Sequence, residues 1–133
     1  MGAWDIGSFD NDDALDWVYE LEEAEDFSIL AEAFETVLGQ RGAVPDASDS
    51  SIVVCAAEVT AGLLDSRSDE LPDEVLAWME DQPEPSEALL KMASEALTIV
   101  LNKSELKELW AESDVYTEWE EGIRELLERM RPT

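Results

Sequence analysis

Residues 51–66 read SIVVCAAEVTAGLLDS, and the fold class turns on them. Ile52, Val53 and Val54 would suit a strand. Ala56, Ala57, Val59, Leu63 and Leu64, together with the length of the run, favour a helix. Its apolar character on nearly every side predicts a central, buried helix rather than an amphipathic one at the surface. Cys55 lies inside it.

The segments on either side carry the period of amphipathic helices. Between Asp12 and Glu23, Ala14, Trp17, Val18 and Leu21 share one face, and Asp12, Asp13, Asp16, Glu20 and Glu23 fall on the other. Asp10 is placed to cap this helix, with acids in its first turn facing the positive end of the helix dipole. A second helix is predicted over residues 27–38, with Ile29, Leu30, Ala33, Phe34, Val37 and Leu38 as its stripe and Gly39 as its stop. QRGAVPDASDSS then reads as a polar loop.

A short helix with Pro72 in its first turn carries Val75, Leu76 and Met79. DQPEPS is the clearest linker. Pro85 opens a helix whose stripe runs Leu89, Leu90, Ala93, Ala96, Leu97, Val100 and Leu101. Ser104 caps the next, which holds Leu106, Leu109 and Trp110. Asp114 caps the last, with Val115, Trp119, Ile123, Leu126, Leu127 and Met130 inward. No period of 20–50 residues recurs. The expectation is a single compact all-α domain over residues 1–133, of six or seven helices. An extended apolar arm of Trp4, Ile6 and Phe9 precedes the first. Trp17 and Trp119 belong to the core; Trp78 and Trp110 are less clearly placed.

Charge is the dominant feature. The 133 residues carry 34 acids and eight bases, a net charge of -26. Residues 1–90 hold 24 acids and two bases, Arg41 and Arg67; residues 91–133 hold ten acids and six bases. Such a surface repels nucleic acid and anionic membranes and favours cationic partners. Three readings compete: a solubilising surface suited to a salty cell, a site for a basic protein, and a nucleic-acid mimic whose carboxylates imitate phosphates. At 45% hydrophobic the chain can still bury a core. No basic start leads into an apolar run, and the longest apolar stretch, IVVCAA, is short for a bilayer span. A cytoplasmic location is expected, and one cysteine fits a reducing compartment.

The missing residue types limit the chemistry. There is no histidine, so Ser-His-Asp and Cys-His pairs and histidine metal sites are unavailable. Cys55 has no basic neighbour in sequence to activate it and reads as a small core residue. Six scattered glycines form no phosphate loop. DNDDALD, residues 10–16, fails as an EF-hand: its oxygen spacing breaks after the third position, and both the turn glycine and the final glutamate are missing. No catalytic, cofactor-binding or metal residues are assigned, and no cofactor is expected. Carboxylate or metal-dependent catalysis is kept as a third reading.

The opening MGAWDIGSFDNDDALDWV resembles a family of small, mostly bacterial proteins known only as a domain of unknown function. Its members begin Gly-x-Trp-Gly-x-x-x-Phe-x-Asn-Asp-x-Ala-x-Asp-Trp. Here Gly2, Trp4, Phe9, Asn11, Asp12, Ala14, Asp16 and Trp17 stand in that register, and Asp5 departs from the usual glycine. The end is also similar, through Leu109, Trp110, Glu112, Asp114, Trp119, Arg129 and Met130. The resemblance brings no activity, cofactor or catalytic residue. It does imply that the two ends pack together, with the arm across the C-terminal helices.

The functional expectation is a non-enzymatic acidic domain that binds a basic protein, as an immunity-like or accessory factor. It binds neither nucleic acid directly nor membrane. The contact residues expected are Asn11, Asp12, Asp13, Asp16 and Glu20, with Trp4, Phe9, Asp10, Trp17 and Trp119 as structural supports. The alternative is a mimic occupying the nucleic-acid-binding face of another protein.

Overall fold

The computed structural model describes residues 12–40, 44–65, 71 and 73–130. Among them are seven helices and no strand: α1 Asp12–Glu23, α2 Ser28–Leu38, α3 Ala47–Asp65, α4 Asp73–Met79, α5 Glu87–Asn102, α6 Glu105–Ala111 and α7 Tyr116–Arg129. The chain is an all-α domain. Trp4, Ile6, Phe9, Asp10 and Asn11, and with them the arm, its packing and the first cap, lie outside the described residues. So do Arg41, Arg67 and Pro72.

Residues 51–65 are helical throughout, inside α3. α3 is the hub: it packs against each of the other six helices. That explains its composition. Val53, Cys55, Ala56, Ala57, Val59, Thr60 and Ala61 are all fully buried, so nearly every side of the helix meets protein. Small residues dominate because neighbouring axes approach from several directions at once. The hydroxyl of Thr60 donates to the Ala56 carbonyl at 2.8 Å, which settles its polarity within the helix. Over Ala47–Leu64, α3 is long and apolar enough to cross a bilayer by length and composition, and most of that window is buried inside the fold.

α3 starts four residues before the predicted point, inside what reads as a polar loop. Two carboxylates explain this. Asp46 Oδ1 accepts the N–H of Asp49 at 2.8 Å, the bond of an N-cap. Glu105 Oε1 accepts the N–H of Ala47 at 3.3 Å, and the Glu105 N–H returns to the Pro45 carbonyl at 2.9 Å. The second brace comes from 58 residues away and is invisible to local reading.

α2 begins at Ser28, with Phe27 in the cap position. Asp26 Oδ1 accepts the Ser28 N–H at 2.9 Å, and this bond holds its carboxyl below the usual carboxylate range. Gly39 ends α2 in right-handed geometry, φ -77° and ψ -11°, so its left-handed freedom is unused. α5 is capped by Ser86, whose Oγ accepts the Leu89 N–H at 3.1 Å; Pro85 precedes the cap rather than opening the helix. Ser104 caps α6 as predicted, accepting the Lys107 N–H at 3.0 Å, and it donates to Val100 at 2.7 Å. Asp114 does not cap α7. Val115 takes that position, its N–H bound by Ser113 Oγ at 3.3 Å, because a tight turn from α6 puts Ser113 there first.

Trp17 and Trp119 are 4% and 3% exposed and enter one continuous core with Phe34, Leu21, Leu30, Leu97 and Leu126. Trp78 is buried as well. Its indole N–H donates to the Ala24 carbonyl at 2.9 Å and its ring lies 6.2 Å from Phe27, so α4 clamps the link between α1 and α2. Trp110 is half-buried against the core. Leu109, beside it on α6, is exposed.

Candidate functional site

The feature that carries chemistry on this surface is the outward side of α1. Trp17, Val18 and Leu21 point into the core, at the 1-3-4 spacing that turns one helix face inward. Asp16, Glu20, Glu22 and Glu23 are thereby exposed on the opposite side. Of the expected contact set, Asp16 and Glu20 sit one turn apart on this surface. Asp12 and Asp13 form the first turn of α1; their side chains, and all of Asn11, lie outside the described residues.

Two further residues share the face and do not belong to the predicted set. Leu15 is 50% exposed and Tyr19 is 69% exposed. They stand at i and i+4, so their side chains meet along the helix as one ridge. Asp16 and Glu23 flank the ridge on one side and Glu22 on the other. A hint was available in the sequence: neither residue falls on the Ala14, Trp17, Val18, Leu21 stripe.

The electrostatics of α1 oppose its own stability. Its last turn contains Glu20, Glu22 and Glu23 and no basic residue. The C-terminal end of a helix carries about half a negative charge, and each carboxylate there costs about 0.3–1 kcal/mol at low salt. No lysine or arginine in the described part of residues 1–90 offsets this, because that part contains none. The described ion pairs belong to α7. Arg124 reaches Glu120 at 3.6 Å, and Arg129 reaches Glu58 of α3 at 3.7 Å.

Catalytic options are limited. Cys55 is fully buried, and burial, reinforced by the carboxylate of Glu58, pushes its thiol pKa far above the ordinary value. A thiol so held is not a nucleophile. Among the described residues no three His, Cys, Asp or Glu side chains gather to hold a metal ion.

Comparison with curated proteins finds no match, and neither does comparison with solved structures. A family model matches residues 2–122, nearly the whole chain. The chain belongs to the family described as Domain of unknown function (DUF4259).

Proposed function

We propose that this is a non-enzymatic protein-binding domain whose acidic half receives a basic protein and neutralises or assists it, in the manner of an immunity or accessory factor. One observation carries the reading. In α1 through α4 every charged side chain is acidic, and no basic residue occurs in these four helices. A surface of mixed sign is enough for solubility. A one-sign surface steers an oppositely charged partner and accelerates its approach. Cytoplasmic residence, the absence of direct nucleic-acid or membrane binding, and the lack of a cofactor are part of the same proposal.

The test uses the full chain and a variant carrying Asp12→Asn, Asp13→Asn, Asp16→Asn and Glu20→Gln. A partner retained by the wild type and lost by the variant is purified and assayed. Stoichiometric inhibition of that partner's activity supports the proposal. Displacement of DNA or RNA from the partner would replace it with mimicry. Equal retention by both proteins would overturn the acidic surface as the contact.

A further inference from the structure

We infer that the Leu15–Tyr19 ridge of α1 is the docking face, and that it takes a basic amphipathic segment: apolar side chains flanked by lysine or arginine. This rests on the protein-binding reading above and adds the place and the chemistry of contact.

Several observations converge. The large exposed apolar residues among those described are Leu15, Tyr19, Val44 and Leu109. Val44 stands alone in a connection, and Leu109 is on α6, which itself carries Lys107 and follows Lys103. Only Leu15 and Tyr19 are adjacent. An apolar centre with tyrosine, ringed by polar groups, is the anatomy of protein interfaces, where a few anchors dominate. The carboxylates here are of one sign: Asp16, Glu22 and Glu23 beside the ridge, and Glu20 beyond Asp16. None of these four carboxylates is in an ion pair among the described residues.

Charge decides the occupant. A second copy would bring the same carboxylates against themselves, and like charges across a contact are unfavourable. The chain's own first eleven residues contain Asp5 and Asp10 and no lysine or arginine, so their side chains bring no cation to the ridge. A cationic segment does so twice: it pairs with the carboxylates, and it answers the negative end of α1 that no basic residue of the helix opposes.

The experiment measures binding of two synthetic helical peptides to the full chain at low salt. One carries a leucine face flanked by lysines; the other keeps every lysine and replaces the leucines with serine. The leucine peptide is expected to bind more tightly. Leu15→Ser combined with Tyr19→Ser is expected to weaken it at least about tenfold, the scale of an interface anchor. Leu109→Ser should leave it within about twofold, as a surface change away from the contact does. If the double variant binds the leucine peptide as wild type does, the inference falls and the acidic-surface reading stands. If wild type binds neither peptide, both fall. The double variant should keep the melting temperature of the wild type. A drop of several degrees would mean that the ridge is covered within the chain itself, which also overturns the inference.

Discussion

α1 and α7 are alike by burial and differ in charge: α1 carries six acids and no base, α7 five acids and two bases. Each is an amphipathic helix that sends a tryptophan into the shared core, Trp17 from one and Trp119 from the other. Each packs on α3. Their exposed faces differ. α7 places Arg129 in its last turn, where it complements the helix dipole, and ties itself to α3 through Glu58. α1 ends in three glutamates with no base. The same burial pattern therefore supports two kinds of surface. That of α7 is compensated in part within the chain, and that of α1 leaves its charge for something else to meet.

If the likeness in burial is real, Trp17→Ala and Trp119→Ala should have similar and large effects. Each is expected to cost about 3–5 kcal/mol, the range for a large aromatic truncated in a core. Urea unfolding would measure this. A silent Trp17→Ala would break the comparison at its base, by showing that α1 is attached loosely while α7 is integral.

The next effect is smaller and concerns α7 alone. Arg129 and Glu58 are 16% and 17% exposed at their side chains, between surface and interior. Arg129→Met should cost about 1–2 kcal/mol, above the value of a surface pair and below that of a fully buried one, since Glu58 keeps its charge with less water around it. Thermal melts with Arg124→Ala as the exposed control would show it. Equal effects of the two substitutions would remove the idea that α7 is pinned through its charge.

The smallest effect has the opposite sign. Glu22→Lys and Glu23→Lys should each stabilise the protein, by about 0.3–1 kcal/mol, because a cation then faces the negative end of α1. The gain should shrink in about 1 M salt, where the screening length falls to about 3 Å. The same substitutions should weaken any cationic ligand of the ridge. Stability gained together with binding lost would mark α1 as a helix whose charge serves a partner. No gain at low salt would make its acidity neutral decoration.

Most of the helices were legible because their apolar residues recur at the helical period, and this signal is local. The hub was legible for the converse reason: a helix apolar on all sides has few places to go but the centre. Besides the shift from Pro85 to Ser86 at the start of α5, two boundaries escaped. The start of α3 depends on Glu105, and the start of α7 depends on which of Ser113 and Asp114 the turn presents. Tertiary geometry settles both. In the candidate site, Asp16 and Glu20 stood out in the sequence through charge and spacing. Leu15 and Tyr19 did not, because attention to acids hides apolar residues between them. Charge count separates α1, which has no base, from α7, which has two; which carboxylates Arg124 and Arg129 meet takes the fold to show.

Because every other helix rests on α3, the amides at its centre have no route to solvent short of losing the whole core. Hydrogen–deuterium exchange at residues 53–61 therefore reports global unfolding, while exchange at the chain's outer helices also admits local fraying. For so acidic a protein this matters in practice. Guanidinium is itself a salt and screens the repulsion between carboxylates as it unfolds the chain. The protons of one buried helix give a clock for the fold in plain buffer, where that repulsion acts in full.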